Sequence, residues 1–326
     1  RRLKYLKAGA GFGSEEKERL SLVLTYHNFL NRGYQAEAAV NRSRIWLEYR
    51  GEFTNRDFFG TRIEQSTRFT WRREDRSGYD TESTQGRVGL ARAIGWDTTA
   101  DLHYRLQRTV AFNVDSDISE TTPGETVTGT LGTALNRDTS NDLFFPTRGT
   151  RSGISLERTG WLFGGNVHFV KTAMDASGYQ SLFGPVVGTL HGAFGALRPT
   201  DRTTDVPVYE RFFTGGAGSI RGYRERHVGP LDSFGAPRGA SMHLGGRAEI
   251  RSHLFWRLTG AVFLDGGQVG AKPSQVQPSR WKYGTGGGIR VRTPIGPLRA
   301  DMGYKVNPDP GDRDRWRLHL SVGEAF

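Results

Sequence analysis

The 326-residue sequence has no cysteine, three methionines and no run of about 18 apolar residues. Missing thiols exclude disulfides and thiolate chemistry, and the missing apolar run excludes a transmembrane helix. A mean hydropathy of −0.55 does not exclude a membrane, because strands that cross one alternate apolar with polar residues. Signatures of enzymes are also missing. The eight histidines are scattered without an H-E-x-x-H, and there is no G-x-S-x-G elbow. Asp309, Asp312 and Asp314 hint at a calcium loop, but Gly311 is misplaced for an EF-hand, and a solvated acidic loop is the better reading. We therefore expect a chain that is not an enzyme and needs no metal or cofactor. The 45 basic residues outnumber 34 acidic ones, for a formal charge of +11, yet they are spread along the chain rather than gathered in a stripe or tail. That spread argues against nucleic acid as a partner.

What the sequence has is period-two alternation. From 44 to 53, Ile45, Leu47, Tyr49, Gly51 and Phe53 oppose Arg44, Trp46, Glu48, Arg50 and Glu52. Trp316, Leu318, Leu320 and Val322 likewise oppose Arg315, Arg317, His319 and Ser321. A helix would mix these sets, so they read as strands with one apolar and one charged face. Such stretches number roughly sixteen, at about 2–12, 18–28, 33–42, 43–53, 60–73, 84–94, 97–109, 125–138, 150–160, 166–176, 185–196, 240–252, 256–266, 281–293, 296–305 and 315–325. Short turns rich in Pro and Gly are expected at 144–149, 252–255 and 293–297, and long polar loops at 197–239, 267–280 and 306–314. We expect one all-β unit over 1–326, a transmembrane antiparallel β-barrel of about sixteen strands whose charged faces line the lumen. Alternating short and long connections predict that both termini lie on the periplasmic side and that the long loops are extracellular. A soluble β-sandwich would also alternate, but so many long strands would split into separate domains.

One stretch departs from this rhythm: Glu210 to Pro230, centred on Ser219, Ile220, Arg221, Gly222 and Tyr223. Glycines at 215, 216, 218 and 222 let the backbone turn through positive φ and approach other groups closely. An arginine held on that platform inside the fold needs a carboxylate, since it cannot lose its proton. A phosphate loop is a poor match, because Arg221 stands where G-x-G-x-x-G requires its third glycine. Parity turns Arg247, Glu249 and Arg251 inward on one strand, and Ala261, Phe263 and Asp265 inward on the next. These acids could meet Arg221, or they could simply neutralise Arg247, Arg251 and Arg290.

RFFTGGAGSIRGY resembles the arginine-glycine-aromatic loop of the BamA/TamA superfamily of outer-membrane assembly barrels, and its Phe-Phe-x-Gly-Gly lead-in is closest to TamA. FFPTRGTRSGISLE resembles the turn and strand near the middle of those barrels, and GGGIRVRTPIGPLRADMGY through LHLSVGEAF resembles their last three strands. Strong similarity covers roughly 140–326. The resemblance implies that the Arg221 loop folds into the lumen, that Glu249 and Asp265 are the wall acids that anchor it, and that Phe326 is the terminal aromatic of an insertion signal. It implies a bacterial outer-membrane protein that inserts or translocates other barrels. Its partners would be membrane lipids, lipopolysaccharide, client outer-membrane proteins, and a periplasmic or inner-membrane protein reached through POTRA domains. Those domains are not in this sequence, nor is the signal peptide such a protein needs, so a mature fragment is expected. The working element would be a lateral seam between the first strand, with Lys4, Leu6 and Ala8, and the last, with Leu318, Leu320, Val322 and Gly323. Glycine weakens both strands. The alternative is a pore that passes polypeptide or solutes through the basic lumen.

Overall fold

The computed structural model describes residues 3–95, 97–119, 122–201, 203–272, 275–293 and 296–322. Sixteen strands follow in order: β1 Lys4–Gly13, β2 Lys17–Phe29, β3 Tyr34–Ser43, β4 Trp46–Asn55, β5 Glu64–Arg76, β6 Tyr79–Gly95, β7 Thr98–Phe112 and β8 Glu125–Asp138. The second half comprises β9 Gly149–Thr159, β10 Phe169–Phe183, β11 Val186–Pro199, β12 Met242–Phe255, β13 Leu258–Gly270, β14 Lys282–Thr293, β15 Gly296–Lys305 and β16 Trp316–Val322. Each strand pairs antiparallel with its neighbours in sequence, and β1 pairs with β16, so the sheet closes into a barrel. Closure pairs the edges that an open sheet would leave bare.

The strands form where apolar and polar residues alternate, and the barrel sorts the two sets. Along β13, Val262 and Leu264 are 58% and 52% exposed, whereas Phe263 and Asp265 are 4% and 0% exposed. Leu20, Leu22 and Leu24 of β2 and Leu102, Tyr104 and Leu106 of β7 are exposed in the same way. The apolar belt therefore faces outward and the charges face in, the inverse of a water-soluble sandwich.

Two of the three expected short turns differ from the sequence reading. Ser252 to Phe255 are the end of β12 rather than a turn, which falls instead at Trp256 and Arg257. The stretch at 144–149 is the second half of a longer connection at 139–148, because Arg151 gathers it by bonding Ser140 and the carbonyls of Asp142 and Leu143. Residues 294 and 295 of the third expected turn lie outside the described residues.

Apart from the strand faces, the apolar core lies under the long β11–β12 connection at 200–241. Val206 and Phe212 pack on Val167, Phe169 and Leu197. Val208, Tyr209 and Phe213 pack on Tyr79 and Ile118, and Ile220, Tyr223 and Val228 form a third cluster. Tyr209 also exchanges a 2.6 Å hydrogen bond with Thr126 of β8. This connection is thus a packed element that spans from one wall to another.

Candidate functional site

At its turn the connection sets Arg221 against β12, β13 and β15. Its guanidinium grips Asp265 in bidentate fashion, Nε to Oδ2 and Nη2 to Oδ1, both 2.7 Å, and its backbone N–H donates to the same carboxylate at 3.1 Å. Nη1 donates to Glu249 at 2.8 Å and to Asp301 at 3.2 Å. The charged plane lies over the Phe263 ring, with Cζ 3.3 Å from the centroid. Arg221 is 2% exposed, so a full cation sits where water cannot hydrate it, and the three carboxylates supply what water would.

The wall is shaped to admit the loop. On the inner face of β14 the residues at 284, 286 and 288 are glycine, and Arg290 follows in the same parity. A Cβ at Gly284 would collide with the Arg221 carbonyl, and one at Gly303 of β15 with the Gly222 amide. At Gly286 it would stand 2.7 Å from the Phe263 ring, and at Gly288 it would strike the Asp301 carboxylate. Gly222 itself has φ +102°, a conformation that side chains rarely adopt.

The other loop residues hold the turn. Ser219 Oγ accepts the Gly215 N–H at 2.8 Å, Ile220 is buried, and the Tyr223 hydroxyl donates to the Asn307 carbonyl at 3.1 Å. Around them the charges continue: Arg290 donates to Glu249 at 2.8 Å, and Arg299 to Asp301 at 2.6 Å. Sequence reasoning missed Asp301, although its parity opposite Leu298, Ala300 and Met302 marks it as inward. It also missed the glycine face of β14 and the Phe263 contact. Asp309 and Asp312 are engaged by Lys282 and Lys305.

Among the described residues, the seam joins the end of β1 to the end of β16. Phe12 faces Val322 and Gly13 faces Ser321, and the Ser14 N–H donates to the Leu320 carbonyl at 2.9 Å. Lys4, Leu6 and Ala8 pair with Tyr26, Leu24 and Leu22 of β2, not with described residues of β16. Leu318 and Leu320 pair with Met302 and Ala300 of β15. The reason is stagger: strands tilted to close a barrel are offset along their length, so the first and last are not level. Gly323 and Phe326 lie outside the described residues.

With this geometry established, comparison with known proteins identifies the family. The model of the Omp85 superfamily domain matches residues 28–326. The chain belongs to the Omp85 superfamily. It is 25% identical to the outer membrane protein assembly factor BamA of Nitratidesulfovibrio vulgaris across 98% of this chain and 42% of that protein. It is 26% identical to the sorting and assembly machinery component 50 homolog of Homo sapiens across 68% of this chain and 49% of that one. This Omp85 chain therefore spans less than half the length of each of these relatives. Among solved structures, BamA from Haemophilus ducreyi lacking POTRA domains 1-3 superposes with a TM-score of 0.89 at 18% identity, covering 99% of this chain and 70% of that one. CdiB from Escherichia coli gives 0.64 at 14% identity, covering 98% and 67%. Both likenesses are of fold. An Omp85 barrel with an apolar belt is an integral outer-membrane protein, and no relative named above is described as an enzyme.

Proposed function

We propose that this chain is the barrel portion of an outer-membrane protein assembly factor, and that it works by parting β1 from β16 to offer a strand edge to client barrels. The observation that carries the reading is that the barrel closes between its own first and last strands, where Phe12 meets Val322 and Gly13 meets Ser321. Unpaired backbone groups are expensive in hydrocarbon, so a barrel that lends its own edge lowers the cost for an incoming strand. The Arg221 clamp fixes the connection against the wall while the seam moves, with Glu249 and Asp265 as anchoring acids and Asp301 as a third. In this reading 1–326 is a single barrel domain with both termini periplasmic and the 200–241 connection reaching the lumen from outside. Lipid, lipopolysaccharide and client barrels are its partners, and a periplasmic or inner-membrane protein would engage domains outside this sequence. The terminal Phe326 serves its own insertion. The names of the assembly-factor relatives support this reading.

Because the chain has no cysteine, the test is clean. Phe12 and Val322 are direct partners, which places their Cα atoms roughly 4.5–5.5 Å apart, within disulfide reach. Oxidising a Phe12→Cys, Val322→Cys protein in liposomes should abolish client folding, and reduction should restore it. A lock between the partners Ile250 and Val262, away from the seam, should do little. Full activity with the seam crosslinked would refute lateral opening. Steady large single-channel currents would then favour a pore.

A further inference from the structure

Beside the Arg221 clamp, toward the 139–148 connection, lies a cavity of about 390 Å³ whose lining includes Arg221, Arg247, Arg251, Arg290, Arg299 and only one carboxylate, Glu249. Its size falls in the range of small-ligand sites, roughly 300–1,000 Å³. The neighbouring acids do not balance these charges. Asp265 is taken by two nitrogens of Arg221, Asp301 is shared by Arg221 and Arg299 with Arg290 3.8 Å away, and Glu249 accepts from Arg221 and Arg290 through one oxygen with Arg251 3.8 Å from the other. Five arginines thus face three carboxylates, which leaves an excess of two positive charges. The surplus can be located. Arg290 is 8% exposed and its Nη1 has no hydrogen-bond partner among the described residues. Arg247 stands directly opposite Asp265 on β13, but makes no hydrogen bond or ion pair among the described residues.

Guanidinium groups cannot shed their protons, so an interior excess of this kind calls for an anion rather than for neutralisation. Their planar forks match the oxygens of a tetrahedral or planar oxyanion, and two surplus charges match a dianion. We propose that this cavity is a binding site for a phosphate-type dianion, held chiefly by Arg247 and Arg290 with Arg251 and Arg299 at its border. The site borders the seam through Ser321, but its occupancy does not depend on the assembly reading. A dianion seated here would tie β12, β14 and β15 together behind the clamp.

The purified chain in detergent should bind inorganic phosphate saturably at constant ionic strength, measured by calorimetry against chloride. Loss of one charge-assisted contact is worth about tenfold or more, so Arg247→Gln and Arg290→Gln should each weaken binding by at least that factor. Heat-modifiable migration on gels checks that each variant is folded. A readout on the unaltered protein covers the case where a variant does not fold: phosphate should protect Arg247 and Arg290 from phenylglyoxal, located by mass spectrometry. Glycerol 1-phosphate in parallel separates the sources. Tighter binding than inorganic phosphate marks a lipid headgroup, and weaker binding a free anion, both within the proposed class. No saturable binding, equal binding by the folded variants, or unchanged phenylglyoxal modification would overturn the site.

Discussion

Arg221 is the side chain on which most of the interior charge turns. Its removal leaves Asp265 buried without its bidentate cation, while Asp301 keeps Arg299, and breaking a buried pair in this way costs about 3–5 kcal/mol. Arg221→Ala should therefore lower the midpoint of heat-modifiable unfolding and expose the 200–241 connection to protease, and Arg221→Lys should restore little, since an ammonium cannot reproduce the bidentate fork. An unchanged midpoint would show that the cluster does not hold the loop. The glycines give a complementary test. Gly284→Ala puts a methyl into the Arg221 carbonyl and should loosen the same connection, whereas Gly178→Ala on β10 meets nothing within 4 Å and should be silent. Of this site, Arg221 and two of its acids were legible because parity is a local property of a strand. Asp301 obeys the same rule but sits far along the chain from the motif, and the Phe263 contact depends on a rotation of the loop that no spacing encodes.

At the scale of elements, the 200–241 connection carries a titrating contact of its own. Burial, and then the charge of Glu15 in the β1–β2 turn, push the Glu225 carboxyl up to about 7, although Arg76 and Arg226 pull the other way and Glu16 adds to the push. The folded value lies above the ordinary one, so the docked state is favoured while the group is protonated. That advantage is complete below the ordinary carboxyl range and is lost as pH rises through about 7. Hydrogen exchange in 214–228 should be slower at pH 5 than at pH 8 after correction for intrinsic rates, and Glu225→Gln should remove the difference. A pH-independent protection ratio in the unaltered chain would contradict this. The seam is an element-level property too. A Cβ at Gly11 would stand 2.8 Å from the Val322 carbonyl, so Gly11→Ala should push β16 away and slow disulfide formation between Phe12→Cys and Val322→Cys. The sixteen strands were readable from alternation alone, but the level at which β1 meets β16 was not. Alternation repeats every two residues and is blind to a shift of an even number, whereas closure of the whole barrel sets the offset.

For the whole molecule, the sorting of apolar side chains outward and charges inward makes an amphiphile to solvate the belt a condition of the fold. In detergent the chain should give a β-rich circular dichroism spectrum and migrate differently on gels before and after boiling, and a largely helical spectrum would exclude the barrel. The glycine face of β14 has a consequence for portability. Where a strand would ordinarily present side chains to the lumen, Gly284, Gly286 and Gly288 present none, and the inner surface is completed by the Arg221 backbone, the Phe263 ring and the Asp301 carboxylate. The loop is therefore a cast of this particular wall. Grafted alone into another barrel of equal size it would meet Cβ atoms where it needs bare backbone, so the smallest transplantable unit runs from the 200–241 connection through β15.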